Sequence, residues 1–182
     1  MNTAARQFVF AVGQAKLTGI LLALFLAQSQ FAENRAVTIV GYSLGGVTAM
    51  HCMRMLQTLH DTAAGGKPGR ILNDVHIWAG AYVIDLSKEY EEIKERAQVC
   101  RVANGNLNNL YSEKDGVLKN VFTRVFPGRK AIGLYAIFED IKEEDEEVCK
   151  RAINYNMTED APGHGFYGSN CGQFMFKVKD AY

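Results

Sequence analysis

The segment G-Y-S-L-G at positions 41–45 places the hydroxyl of Ser43 between a stretch that favours a β-strand and one with helical periodicity. This arrangement is typical of a nucleophile elbow, a strained turn that exposes a reactive serine. We expect glycine at both ends to avoid clashes with the neighbouring strand and helix. The backbone N–H of Leu44, at the helix N-terminus, would stabilise an oxyanion. The alternative is a glycine-rich turn with a capping serine. The predicted elbow comprises Gly41, Tyr42, Ser43, Leu44 and Gly45.

A nucleophilic serine needs a general base, and the base needs an acid that orients it. In an elbow-type fold these follow in the order serine, acid, histidine. His164 is the predicted base, because it lies in a glycine-flanked loop after the last predicted strand, where ligand chemistry gathers in open α/β sheets. Its alternative is an exposed loop histidine. The other histidines lie on the helix after the elbow or inside a strand: His51, His60 and His76.

The predicted orienting acid is Asp115, which follows the third predicted strand. Asp85, after the second strand, is the next choice, and Glu113 is a weaker one. Asp160 lies too close to His164 in the chain for the usual arrangement. The predicted catalytic set is therefore Ser43, Asp115 and His164.

Predicted strands and helices alternate along the chain. Strands are predicted at 36–41, 74–80, 99–111 and 151–157, and helices at 5–31, 44–60, 87–97, 115–126 and 140–150. Alternation of this kind predicts an α/β fold with a parallel sheet and right-handed crossovers. We expect a single domain over 1–182, with an apolar N-terminal helix at 5–31, a core at 36–168 and a C-terminal tail at 169–182.

The N-terminal helix carries a continuous apolar run, ILLALFLA, at 20–27. A run of this length is too short to cross ~30 Å of hydrocarbon. Its apolar residues extend nearly all the way round, which predicts a buried helix covered on more than one side. A signal peptide is the alternative. The sequence also leaves open membrane association through a partner or through this helix.

The composition excludes several classes of function. The chain has 182 residues, 20 basic and 20 acidic side chains and no basic run, so nucleic acid is not an expected partner. The cysteines lie far apart, which argues against a zinc site and favours buried free thiols in a reducing, intracellular compartment. They are Cys52, Cys100, Cys149 and Cys171. No cofactor and no metal ion is predicted.

Four segments in order, VTIVGYSLGG, VANGNLNNLYSEKDGVLKNVFTRVF, IGLYAI and PGHGFY, resemble the α/β-hydrolase-like domain family of transmembrane and coiled-coil domain-containing protein 4. That family has long been labelled a domain of unknown function. The resemblance covers about 36–168 and implies the C-terminal half of a hydrolase fold. Carried over by position, it supports Ser43, Asp115 and His164. Gly116 departs from the family, which tends to have an aromatic residue there.

The strands that normally precede an elbow, together with a loop that donates a second oxyanion N–H, do not precede position 36 in this sequence. We therefore expect a partial sheet whose elbow strand lies at an edge, completed by another polypeptide, a second copy or a missing part of a precursor. Two functions remain open. One is a serine hydrolase acting on an acyl ester or lipid-like substrate. The other is a catalytically degenerate hydrolase-fold subunit with a structural role in a larger complex.

Overall fold

The computed structural model of the chain describes residues 3–28, 35–62, 71–83, 98–138 and 151–179. The helices predicted at 87–97 and 140–150 lie outside these residues. Asp85 and Cys149 lie outside them as well.

Four strands form one all-parallel sheet in the order β1-β2-β3-β4. They are β1 (Val37–Tyr42), β2 (Leu72–Trp78), β3 (Leu107–Tyr111) and β4 (Ala152–Asn156). The predicted α/β class with a parallel sheet that begins at the elbow strand is therefore confirmed. β1 lies at an edge of the sheet, and β2 is its only neighbour among the described strands.

The pairing register aligns the carboxyl ends of the strands. Tyr42 is opposite Trp78, Trp78 is opposite Leu110, and Leu110 is opposite Tyr155. Because all four strands run in the same direction, the residues that follow β1, β3 and β4 meet at a single edge of the sheet. We call this the C-terminal edge.

Three longer helices surround the sheet: α1 (Thr3–Gln28), α2 (Leu44–Thr62) and α3 (Cys171–Lys179). Shorter helical segments connect the strands. Those are the 3₁₀ segments Gln98–Val102 and Ile132–Leu134, and a π-helical segment Leu118–Phe122 that continues into the helical turn Thr123–Val125. A further helical turn, Phe166–Ser169, follows β4.

The strand predicted at 99–111 is shorter in the structure, because its first part is helical and a tight bend separates it from β3. The bend depends on Asp74, whose Oδ1 accepts a hydrogen bond from the Asn106 N–H at 2.8 Å. A Cβ atom on Gly105 would overlap the same carboxylate. The glycine lets the chain approach Asp74 closely, and pairing begins only at Leu107.

Helix α2 packs on the sheet through a continuous apolar face, as its periodicity predicts. Its buried side chains are Val47, Ala49, Met50, Cys52, Met53 and Leu56. On the opposite side of the sheet, Phe174 of α3 packs edge-to-face against Trp78 with ring centroids 6.3 Å apart. Phe174 and Val178 are both buried. The segment expected as a C-terminal tail thus contains a helix that contributes to the core.

Helix α1 packs against α2 at very short range. A Cβ atom on Gly19 would overlap the carbonyl oxygen of Thr48 and lie 3.0 Å from the His51 Cβ. The Thr48 hydroxyl donates a hydrogen bond to the Ala15 carbonyl at 3.1 Å. Because higher numbers on α1 face higher numbers on α2, the two helices run parallel. Residues of α1 before about position 11 therefore extend beyond Leu44, past the C-terminal edge, by ~12 Å.

The prediction that α1 is covered on more than one side is wrong. Its buried residues, Gly19, Ala23 and Leu26, lie on the side that faces α2. Large apolar side chains on the other side are exposed, among them Phe10 at 68% and Leu21 at 65%. By length and composition alone, α1 is the one described helix that is long and apolar enough to cross a membrane, and 17% of its 18-residue apolar stretch is buried.

Three of the four cysteines lie in the described residues, and no disulfide bond joins any two of them. Cys52 and Cys100 are buried, as expected, and burial raises the pKa of Cys52 to about 12. Cys171 is exposed, so the expectation of burial is wrong for this residue.

Candidate active site

Ser43 occupies the turn between β1 and α2 in a left-handed backbone conformation, with φ of 54°. For a residue other than glycine this conformation is strained and persists only when the surroundings hold it. The Ser43 N–H donates to the Trp78 carbonyl at 3.0 Å. The Ser43 carbonyl accepts from the N–H groups of Gly46 and Ala81, each at 3.0 Å. These three bonds fix the turn and direct the side chain away from the sheet.

The glycines around Ser43 have different roles. A Cβ atom on Gly41 would overlap the Gly45 carbonyl oxygen, as the sequence predicts. At Gly45, however, a Cβ atom would meet nothing within 4 Å, so the expected clash is absent there. The close contact lies one residue later, where a Cβ on Gly46 would stand 2.9 Å from the Gly80 Cα and 3.0 Å from Ile77 Cγ2. Gly46 is therefore the residue that lets α2 approach β2.

Asp115 follows β3 at the C-terminal edge and is fully buried. Its Oδ1 accepts hydrogen bonds from the backbone N–H groups of Val117 and Leu118, both at 3.0 Å. Its Oδ2 lies 2.7 Å from Nδ1 of His164. The two backbone donors stabilise the ionised carboxylate and hold it in one orientation.

His164 lies between Asp115 and Ser43. Its Nε2 is 2.9 Å from Ser43 Oγ, and its side chain is 14% exposed. With the Nδ1 proton donated to the carboxylate, Nε2 carries a lone pair and accepts the Ser43 hydroxyl. The structure thus brings the three predicted residues into one hydrogen-bonded chain from regions of the sequence 121 and 49 residues apart.

Tyr42 connects the edge strand to the loop that carries His164. Its hydroxyl donates to the His164 backbone carbonyl at 2.8 Å, and the two rings stack with centroids 5.1 Å apart. Partial burial, and then the charge of Asp115, raise the pKa of Tyr42, which keeps the phenol protonated as a donor. The sequence identifies Tyr42 only as part of the elbow, because nothing local predicts a partner 122 residues away.

Tyr167 lies beneath this loop and is fully buried. Its ring is 6.3 Å from Tyr42 and 5.5 Å from Phe174. Burial is the largest cause that raises the pKa of its phenol, followed by the charges of Asp115 and Tyr42. Through these ring contacts, the loop that carries His164 rests on α3 and the core. Sequence reasoning included Tyr167 only as the last residue of the segment PGHGFY and gave it no role.

The remaining candidates lie elsewhere. His51 contacts the Tyr82 ring, and His60 contacts its neighbour Asp61 at 3.2 Å. His76 is buried within β2. Glu113 and Asp160 are exposed. The carboxylate that bonds to His164 is that of Asp115.

The backbone N–H groups at the start of α2 face the region above Ser43. The first four N–H groups of a helix have no acceptor within the helix, and the helix dipole makes this end positive. Leu44, the first residue of α2, is therefore a suitable donor to a negatively charged oxygen. Among the described residues, Leu44 is the one oxyanion donor that the sequence predicts.

Comparison with known proteins provides a family. Residues 4–179 match a family described as a protein of unknown function (DUF726). An uncharacterized membrane protein of Caenorhabditis elegans is 27% identical over 145 residues, which cover 80% of this chain. The chain spans about a fifth of the length of that relative. No solved structure matches this chain. The match agrees with the expected family of unknown function, but it does not extend to the hydrolase-like character that the resemblance implied.

Proposed function

We propose that this chain, which belongs to the DUF726 family, is a serine hydrolase that cleaves acyl esters with the triad Ser43, His164 and Asp115. The observation that carries the proposal is the hydrogen-bonded chain of 2.9 Å and 2.7 Å, with the serine on a left-handed turn at the C-terminal edge. Strain at a single residue, combined with a partnered base and a buried acid, is typical of catalytic serines.

In the first half of the reaction, Ser43 Oγ attacks the carbonyl carbon of the ester while His164 Nε2 takes the hydroxyl proton. The Asp115 carboxylate stabilises the imidazolium that forms. The carbonyl oxygen becomes an oxyanion, which the Leu44 N–H and the positive end of α2 stabilise. When the tetrahedral intermediate collapses, the alcohol leaves with the proton from His164, and Ser43 remains acylated.

In the second half, water attacks the acyl-enzyme. His164 Nε2 takes a proton from that water, and the second tetrahedral intermediate collapses. The carboxylic acid leaves, and the proton returns from His164 to Ser43 Oγ. The enzyme is regenerated, and the net change is the hydrolysis of one ester bond.

A fluorophosphonate probe tests this function, because the probe labels only an activated serine. We expect labelling of the wild-type chain and none of Ser43→Ala. Ser169→Ala is the matched control, since this exposed serine lies in the helical turn that follows His164, and its hydrogen bonds among the described residues are to Phe166 and Asn170. Folded wild-type protein that stays unlabelled, or equal labelling of Ser43→Ala, would refute the hydrolase.

A second candidate is a structural subunit that retains the fold without catalysis. The position of β1 favours this candidate, since β2 is its only partner among the described strands and Val40 within β1 is 46% exposed. An unpaired strand edge is a site for pairing with another strand. We propose that a further strand, from another polypeptide, a second copy or a longer form of the chain, pairs with β1. Folded protein without labelling, but with a stable complex through β1, would favour this function.

Membrane association is part of the same proposal. The Caenorhabditis elegans relative carries the description of a membrane protein, and α1 has the length and apolarity of a helix that contacts lipid. Both observations support a location at a membrane for this chain. An acyl ester with an apolar chain is the substrate class that such a location would supply.

A further inference from the structure

One segment of the chain, residues 116–131, begins at the triad and returns to the elbow. It starts directly after Asp115, and the Lys119 N–H donates to the Asp115 carbonyl at 3.0 Å, so Lys119 lies one helical turn from the triad acid. Where the segment ends, the Ile132 N–H donates to the Tyr82 carbonyl at 2.9 Å. We call residues 116–131 the cationic segment, for the charges described below.

The residues that receive the end of the cationic segment also hold the nucleophile in place. The Gly80 carbonyl accepts the Gly133 N–H at 3.0 Å, and the Ala81 N–H donates to the Ser43 carbonyl at 3.0 Å. The cationic segment is therefore fixed beside the triad at both ends, by Asp115 at its start and by the neighbours of Ser43 at its return.

The segment also lies on the side of the molecule that carries β1 and α1. Its Phe122 contacts the Phe8 ring at the start of α1, with centroids 6.3 Å apart. The acidic residue just before Asp115 is directed the other way, towards β4, since the Glu113 N–H donates to Thr158 Oγ1 at 3.0 Å. The cations of the segment are thus separated from the nearest acids in the sequence.

The cationic segment contains four cations and no acid, in a chain with 20 basic and 20 acidic residues. All four are exposed, and none forms an ion pair with an acid of the described residues. They are Lys119, Arg124, Arg129 and Lys130. Exposed charges of one sign create a potential that raises the local concentration of ligands of the opposite sign.

The backbone of the segment is unusual as well. Leu118–Phe122 is π-helical, a conformation that is rare and is found frequently at functional sites. The Asp115 carboxylate accepts the N–H groups of Val117 and Leu118, so the side chain that bonds to His164 also begins this helix. The cations and the triad therefore belong to one connected structure.

We propose that the cationic segment binds an anionic group on an ester, so that the preferred substrates are esters that carry a carboxylate or a phosphate. The guanidinium and ammonium groups of the segment form charge-assisted hydrogen bonds with either anion, and a neutral ester gains none of them. The preference in turnover rests on the proposed hydrolase, whereas the binding of the anion does not.

An NMR titration of the Ser43→Ala chain tests the binding without any hydrolysis. Two matched pairs of esters are compared: monomethyl adipate with dimethyl adipate, and 1-hexanoylglycerol 3-phosphate with 1-hexanoylglycerol. We expect the anionic member of a pair to bind roughly tenfold more tightly than the neutral one. The pair with the larger ratio identifies the anion as carboxylate or phosphate, and the ratio should fall towards one in ~1 M salt.

Charge variants locate the anion site. Lys119→Gln with Arg124→Gln, added to Ser43→Ala, should lower the ratio to roughly threefold, because half of the charge of the segment remains. Arg54→Gln is the control, since Arg54 is an exposed cation on α2, outside the cationic segment. We expect it to leave the ratio unchanged, and circular dichroism establishes that each variant is folded.

Turnover by the wild type separates the two proposals. We expect kcat/KM to favour the anionic esters in the same order as their binding, and the double variant to reduce that preference. If the wild type hydrolyses none of the four esters while Ser43→Ala still prefers the anionic ones, the hydrolase is refuted and the anion site is retained.

Two results would overturn the anion site. The first is folded Ser43→Ala protein that binds the neutral and anionic members of both pairs equally. The second is a preference that the double variant keeps in full, or that Arg54→Gln lowers as much. That result would assign the preference to the charge of the whole chain rather than to the cationic segment.

Discussion

The C-terminal edge of the sheet and the outer side of α1 differ in how their groups are satisfied. At the edge, each polar atom of Ser43, His164 and Asp115 that takes part in the chain of bonds has a partner within 3.0 Å. On α1, Phe10 and Leu21 are more than 60% exposed. The site is held by interactions within the chain, whereas the helix presents a surface that only an environment outside it can cover.

This difference indicates which property each region determines. In a buried polar network, the removal of one partner leaves the other atoms unsatisfied, which is costly in a low dielectric. An exposed apolar face contributes little to the stability of the chain itself, since its burial requires another phase or partner. The chemistry should therefore depend on single atoms at the edge, and the location should depend on the sum of many side chains on α1.

The largest effect is expected at the orienting acid. Asp115→Asn keeps an acceptor for the N–H groups of Val117 and Leu118, but it presents the wrong partner to His164 Nδ1. We expect kcat for ester hydrolysis to fall by roughly 10⁴-fold, with little change in the thermal midpoint. Asp160→Asn is the control and should retain activity. If Asp115→Asn keeps more than a tenth of the activity, the carboxylate does not orient the histidine.

A substitution of Gly19 should weaken the packing of α1 against α2. A Cβ there would overlap the Thr48 carbonyl oxygen, which belongs to rigid backbone, so Gly19→Ala should lower the free energy of unfolding by about 1–3 kcal/mol. Gly13→Ala is the matched variant on the same helix. Its Cβ meets nothing within 4 Å, and it should raise stability by up to about 1 kcal/mol. Urea unfolding measures both, and equal effects would mean that α1 is not packed as described.

Tyr42 supports the site from the edge strand, so removal of its hydroxyl should lower kcat less than Asp115→Asn does. Tyr42→Phe removes one hydrogen bond to the His164 carbonyl, worth about 1 kcal/mol, and kcat should fall by at most roughly tenfold. Tyr42→Leu also removes the ring that stacks on His164, and should lower kcat further. A Tyr42→Phe variant with unchanged kcat and an unchanged pH profile would show that the loop is held by other contacts.

The smallest effect concerns the pH dependence of stability and the residue His51, which lies where α1 packs against α2. Burial first, and then the charges of Lys16 and Arg54, lower the pKa of His51 to about 4. The fold therefore favours neutral His51. Its contribution is fully present above pH ~6.5, the unfolded value, and is lost as pH falls from there towards 4, because the unfolded state takes up the proton first.

His51 is only half-buried, so solvent screening reduces the effect to roughly 1 kcal/mol. Urea unfolding at pH 7 and pH 5 should show this loss in the wild type and a smaller loss in His51→Gln. His60→Gln, on the same helix, serves as the control. A His51→Gln variant that keeps the whole pH dependence would assign the titration to another group.

Much of the site was open to prediction from local patterns. The strand, the glycines and the helical period around Ser43 mark the elbow, and the order of Asp115 and His164 follows from the ends of later strands. The structure brings these three side chains within hydrogen-bonding distance, and their catalytic role stays a prediction. The predicted clash at Gly45 was wrong, since Gly46 rather than Gly45 makes the close contact. Which atoms approach a glycine depends on the neighbouring strand.

The prediction that α1 is covered on more than one side was wrong for a related reason. A helix that is apolar all round predicts cover on all sides only if the cover belongs to the same chain. The contact with α2 needs small residues on one side, Ala15, Gly19 and Ala23. Several large residues, among them Phe10, Leu17 and Leu21, are left on the opposite side. Periodicity records which residues are apolar, and not what they face.

The sequence by itself determined the order of the four strands, the α/β class and the three side chains that meet at the C-terminal edge, because propensity and turn chemistry act over short distances along the chain. Only the tertiary structure decided the bond from Tyr42 to the His164 loop, the support by Tyr167 and the exposed side of α1. These features depend on contacts between residues far apart in the chain. The closure of such contacts is set by packing and register rather than by local preference.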